Sequence, residues 1–176
     1  MNFTTLLYAF PLSISITMPI AISFEIGAGD YKAARDFAKI GRLTAIVFAL
    51  VTLTFLYFFR TQVAYLYGSG DSFIRLTTEF LIYAFFFQFA DAFAAPIQGI
   101  LRGYKDTTYP FAIGVSAYWA IALPVGWLLD LTTTLGPKAY WIGLIVGLFA
   151  CGVLLRLRLG IIEKRYKDGD PLERVV

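Results

Sequence analysis

One acid in this sequence stands apart from the other eleven. Asp91 lies inside the run Phe80 to Leu101, which is otherwise free of Asp, Glu, Lys and Arg, whereas every other acid falls at the end of an apolar run or between two of them. Glu79 precedes it by twelve residues and Arg102 follows by eleven. On a single helix that is about 17 Å to either neighbour, at about 1.5 Å per residue. Desolvation favours the neutral acid, while a bound cation favours the carboxylate. Such a group can hold a proton, a sodium ion or an organic cation, but not two at once, and that competition is the physical core of an antiporter. An ionisable residue in an apolar span is by default a candidate functional site; the bland alternative is a structural acid hydrogen-bonded to a neighbouring helix.

The residues around Asp91 add polar character at the same depth. Gln88 is three residues earlier, and Ala92 and Ala95 are small. Pro96, five residues later, removes a helical donor and frees a carbonyl about one turn back, which is one way transporters build cation sites. Tyr118 and Trp119, deep in another apolar run, offer aromatic faces that hold flat organic cations by cation–π contact. Glu25 ends the first run just before Gly27; it reads as a headgroup-level acid beside Lys32 or Arg35, the other reading being a place in the pathway lining.

The elements that carry these residues follow from composition. The chain has 176 residues, 59% hydrophobic and 15% charged, against about 25% charged in ordinary soluble domains. It has no histidine and one cysteine, Cys151. A disulfide framework, a Cys/His zinc site and any scheme needing an imidazole from this chain are thereby excluded. No nucleophile–base pair is visible, so an enzyme is not expected. A spanning helix needs about 20 mostly apolar residues, and five stretches qualify: about 3–26, 43–59, 76–101, 108–130 and 139–159, followed by a polar tail at 160–176. Phe80 to Phe87 does not alternate in polarity, which argues against membrane strands; helices satisfy their own backbone groups in lipid. A soluble bundle would need polar faces that these stretches lack. Between them, Gly27-Ala28-Gly29-Asp30, Gly68-Ser69-Gly70-Asp71, Arg102 to Asp106 and Gly136-Pro137-Lys138 carry helix-stop, cap and turn chemistry. Tyr109, Tyr140 and Trp141, near the ends of runs, read as interface anchors.

Charge orients the bundle. Five spans put 27–42, 102–106 and the chain from Arg156 onward on one side, with twelve of the fifteen Lys and Arg. The positive-inside rule makes that side cytoplasmic. The pI near 9.0 is accounted for by this asymmetry and by anionic lipid headgroups, so nucleic acid is not expected as a partner. The N-terminus then lies outside, in a cell (plasma or inner) membrane. An odd number of spans that starts outside is what a piece of a longer transporter, lacking the preceding helix, looks like.

Four motifs in order suggest a family. They are Pro11-Leu12-Ser13-Ile14-Ser15 with Glu25-Ile26-Gly27-Ala28-Gly29-Asp30; Gln98-Gly99-Ile100-Leu101-Arg102-Gly103-Tyr104-Lys105-Asp106-Thr107; Tyr118 to Trp127 with its Leu123-Pro124; and Trp141 to Leu148. Over nearly its whole length the chain resembles the C-terminal lobe of the multidrug and toxic compound extrusion (MATE) family, close to the NorM type. The resemblance implies an all-α integral membrane protein of two six-helix lobes, of which this chain supplies helices eight to twelve, most of one lobe. It implies efflux of cationic, often aromatic drugs in exchange for sodium ions or protons, with no other cofactor, and partnership with membrane lipids and with the missing N-terminal lobe and preceding helix. Asp91 stands where the family carries an embedded acid, which the resemblance implies as a cation or proton site, with Na+ as one ligand. Phe87 stands where the family often has Tyr, and Glu25 where it often has a basic residue.

Two other readings compete. A lipid or oligosaccharide flippase of the same superfamily would have to neutralise phosphates, and no Lys or Arg falls in 3–26, 43–59, 76–101, 108–130 or 139–155. A nonfunctional truncated bundle is the other.

Overall fold

The computed structural model describes residues 3–67 and 70–167. Among them there is no strand: the chain forms α1 (Phe3–Gly27), α2 (Tyr31–Tyr67), α3 (Asp71–Gly103), α4 (Thr108–Ser116), a π-helical turn (Ala117–Ala122), α5 (Leu123–Thr132) and α6 (Pro137–Lys167). The segment from α4 to α5 is one continuous rod, and the outer part of the tail, 168–176, lies outside the described residues. Four rods are long and apolar enough to cross a membrane: Tyr31–Phe59, Ile74–Gly103, Thr108–Thr132 and Pro137–Lys167. The fifth, α1, has 25 residues, and its stretch Leu12–Gly27 is apolar.

The turns form where cap chemistry anticipates them. After Gly27, Gly29 takes a left-handed φ of 80°, and the Asp30 carboxylate accepts a 2.8 Å bond from the Ala33 N–H, capping α2. Gly136 has φ 55° before Pro137 opens α6. Lys105 has φ 61° without being a glycine; its N–H and that of Asp106 bond back to the Arg102 and Leu101 carbonyls, closing α3.

The helices run further than the charge-free stretches. α2 has 37 residues, about 55 Å of helix, whereas its apolar run covers 43–59. At its N-terminal end the reason is packing: Ala34 and Ala38 continue the buried face of Ala45 and Ala49, so small residues keep α2 docked well before the charge-free run begins. α6 behaves alike. Its buried Gly143, Gly147, Cys151, Leu155, Leu159, Ile162 and Tyr166 recur every three or four positions, the period of a single helix face.

α3 and α6 form the spine; α1 and α2 pack on α3, and the α4–α5 rod packs on α6. Glycines set the closest approaches. A Cβ at Gly99 would sit 2.6 Å from the Ser15 carbonyl oxygen, and one at Gly103 would sit 2.8 Å from the Ile22 Cβ. A Cβ at Gly143 would sit 2.5 Å from the Ala122 carbonyl oxygen in the π turn. In lipid, where apolar burial does not drive helices together, such small-residue contacts are a principal source of association.

Polar clasps close both ends. At one end Lys138 Nζ of α6 donates to Glu79 of α3 at 2.6 Å. At the other, Arg158 Nε donates to Asp106 at 2.6 Å, and Arg42 of α2 pairs with Glu163 of α6 at 3.7 Å. Tyr31, Tyr104 and Tyr166 stack beside them, with ring centroids 5.4 and 5.1 Å apart around Tyr166. Burial pushes the Tyr104 phenol up to about 12, so it stays neutral.

Candidate functional site

Asp91 sits midway along α3 and lines a cavity of about 170 Å3. The remaining walls come from α1, the α4–π segment and α6, represented by Ser15, Tyr118 and Cys151. α1 reaches the cavity because Gly99 lets it approach α3. Ser15 Oγ donates to the Ala95 carbonyl at 3.0 Å, fixing that crossing, and the hydroxyl oxygen keeps acceptor capacity.

The electrostatics of the cavity are lopsided. Asp91 Oδ2 is shielded from solvent and accepts no hydrogen bond from the described residues. Gln88 Nε2, three residues earlier on the same helix, is likewise buried without an acceptor. A buried polar group left unpaired costs about 1–3 kcal/mol, which a bound proton, cation or water would relieve. No cation lies within ion-pair distance of Asp91 among the described residues. Arg102 lines the cavity toward the basic end of α3, where its Nη2 is 3.4 Å from Gln98 Oε1. No group of three or more His, Cys, Asp or Glu suited to a metal occurs among the described residues. Asp91 is the single acid in the lining.

The other sequence-level candidates are dispersed. Tyr118 shares the cavity with Asp91. Trp119, the next residue, is 71% exposed and lies outside that lining. Phe87 packs edge-on against Trp141, with centroids 6.3 Å apart, inside the α3–α6 contact. Trp141 is thus partly enclosed by Phe87 and Phe80. Tyr109 lies under Arg158, whose guanidinium carbon is 3.6 Å from the ring centroid. Pro96 is buried, α3 continues through it as one helix, and it lines a different cavity, with Arg42 and Arg156. Glu25 lies in the last turns of α1, ten residues beyond Ser15, or about 15 Å along the axis.

Ser15, Gln98, Arg102 and Cys151 also line the cavity without having been candidate site residues. Ser15 carried a signal, a hydroxyl in an apolar helix; Cys151 carried none beyond its burial.

Membrane-length apolar helices packed around a cavity that holds a buried acid define a polytopic α-helical membrane protein. The chain belongs to the MatE family, whose sequence model, described as MatE, matches residues 1–128. That family is one of multidrug transporters, not of enzymes. The chain is 54% identical over 168 residues to the probable multidrug resistance protein NorM of Streptococcus pneumoniae (strain ATCC BAA-255 / R6), an alignment covering 96% of this chain and 37% of the relative. It is 51% identical, over the same shares, to the probable multidrug resistance protein NorM of Bacillus subtilis (strain 168). Among solved structures it superposes on the eukaryotic MATE transporter AtDTX14 with a TM-score of 0.84 at 22% identity, covering 95% of this chain and 38% of that one. An inward-facing MATE family multidrug resistance transporter superposes with a TM-score of 0.82 at 17% identity, covering 94% of this chain and 38% of that one. The chain thus spans little more than a third of the length of these relatives.

Proposed function

We propose that the chain forms the greater part of the C-terminal lobe of a multidrug efflux antiporter and that Asp91 is its exchange site, alternately holding a proton and a cationic drug. The observation that carries this reading is a carboxylate oxygen buried in a cavity with no protein partner. The relatives named as multidrug resistance proteins support the transport class.

The chemistry follows from competition for one group. With the drug absent, the apolar walls favour the protonated acid. An organic cation entering beside Tyr118 gains the carboxylate charge and the aromatic face, and the proton must leave. Reprotonation from the other side of the membrane displaces the drug. A proton is the coupling ion this lining holds unaided. A sodium ion, a hard cation that prefers several oxygens, would need ligands beyond Asp91 and the Ser15 hydroxyl. Gln88 lies outside the cavity lining and has no part in this reading.

The orientation belongs to the same proposal: the end carrying Arg42, Asp106 and Arg158 faces the cytoplasm of a cell membrane, as the Lys and Arg asymmetry requires. The test is a chimera in which this chain replaces the matching third of the Streptococcus pneumoniae relative, expressed in cells lacking efflux pumps. The chimera is expected to export a cationic dye, and Asp91→Asn to lower that export at least about tenfold, in line with the loss of one charge-paired contact. Export by Asp91→Asn equal to that of the unmutated chimera would sink the reading.

A further inference from the structure

On the face of α3 away from Asp91, a second cavity of about 250 Å3 opens between α2, α3 and α6. Its rim carries two guanidinium groups, Arg42 and Arg156. Its walls are apolar and include Ile46, Phe93 and Pro96. The drug-exchange proposal makes no use of it.

Charge around this cavity does not balance. Arg42 is only 18% exposed and is 3.7 Å from Glu163, its single acidic partner. Arg156 has no acidic partner among the described residues, yet it lies close enough to be felt electrostatically by Arg42. Two cations therefore stand beside one carboxylate, and the exposed Arg156 guanidinium is open to an added anion.

Depth identifies what supplies that charge. Arg42 is the last charged residue before the charge-free run 43–59, and Arg156 is the first after the run 139–155. Both mark the level where hydrocarbon gives way to headgroups on the basic end of the bundle. Lipid phosphates lie at that level, and basic pockets between membrane helices bind anionic headgroups. A guanidinium fork suits a phosphate. Below the arginines, Ile46 and Phe93 continue the cavity wall toward the hydrocarbon, where an acyl chain would run.

We propose that this cavity binds one anionic phospholipid, with its phosphate between Arg42 and Arg156 and an acyl chain along Ile46 and Phe93. The site bridges α2, α3 and α6, so the lipid would fasten three helices at their basic ends.

The experiment is native mass spectrometry of the detergent-solubilised, delipidated chain titrated with phosphatidylglycerol or phosphatidylcholine. One phosphatidylglycerol is expected to bind in preference to phosphatidylcholine. Arg156→Gln is expected to weaken phosphatidylglycerol binding about fivefold, as one basic group near a headgroup would, and to leave phosphatidylcholine unchanged. Arg165→Gln, at the same end but outside the cavity lining, is expected to bind like the unmutated chain. Because Arg42→Gln alone strands Glu163, the double variant Arg42→Gln with Glu163→Gln tests the other arm, and it too should lose the preference. Equal binding of the two lipids, undiminished phosphatidylglycerol binding by Arg156→Gln, an equal loss in Arg165→Gln, or displacement by millimolar inorganic phosphate would each overturn the proposal.

Discussion

Arg158 of α6 donates through Nε to the Asp106 carboxylate at 2.6 Å while its guanidinium carbon sits 3.6 Å above the Tyr109 ring centroid. Asp106 is 4% exposed and Arg158 15%. One arginine thus ties the α3–α4 loop to α6 by charge and by stacking together. Asp106→Ala leaves a largely buried guanidinium uncompensated, and breaking such a pair costs about 3 kcal/mol. Thermal denaturation in detergent should show the variant melting well below the unmutated chain. Arg158→Lys should also lower the melting temperature, because an ammonium keeps the charge but loses the planar stacking.

The glycine crossings are expected to be far less tolerant than their neighbours. Gly143→Ala would bring a Cβ within 2.5 Å of the Ala122 carbonyl oxygen, and Gly99→Ala within 2.6 Å of that of Ser15. Both obstacles are backbone, so helices must part; overpacking of this kind costs about 1–3 kcal/mol. Gly114→Ala meets nothing within 4 Å and removes a poor helix former. A melting series should place Gly143→Ala and Gly99→Ala below the unmutated chain and Gly114→Ala at or above it.

Lys105 occupies the left-handed region at φ 61°, which costs a residue with a Cβ about 1 kcal/mol or more. Lys105→Gly should raise the melting temperature. A fall would mean that the lysine side chain contributes more than its backbone strain removes.

If protons and dye compete for Asp91 as proposed, binding of a cationic dye to the chain should weaken as pH falls, since Asp91 is the single acid in its cavity lining. Fluorescence titration across a pH series reads this directly. In Asp91→Asn the affinity should be low and flat with pH; a pH dependence surviving in that variant would assign the competition to another group.

The all-helical fold was legible because its apolar runs are unbroken and do not alternate. Helix length was not. Charge marks the bilayer boundary, but Ala34 and Ala38 keep α2 packed beyond it, and hydropathy gives alanine little weight. Asp91 stood out as the lone acid in a run, and Tyr118 as a deep aromatic; both line one cavity. Pro96 illustrates what linear distance conceals. Five residues at about 100° each carry a side chain well around the helix, so Pro96 lines the arginine cavity instead. Ser15 and Cys151 escaped notice because their place beside Asp91 depends on which helices are neighbours, and spacing along one chain does not encode that.

The wide turn at Ala117–Ala122 acts as a phase shift in the rod that contains it. α5 is locked to α6 through Gly126 and Gly143, so the offset is expressed in the residues before it. Were the turn to tighten by one residue, everything on its α4 side would rotate by about 100°. Tyr118 would swing off the wall it shares with Asp91 while α5 stayed still. The composition of that wall therefore depends on a single surplus residue in the winding of one helix.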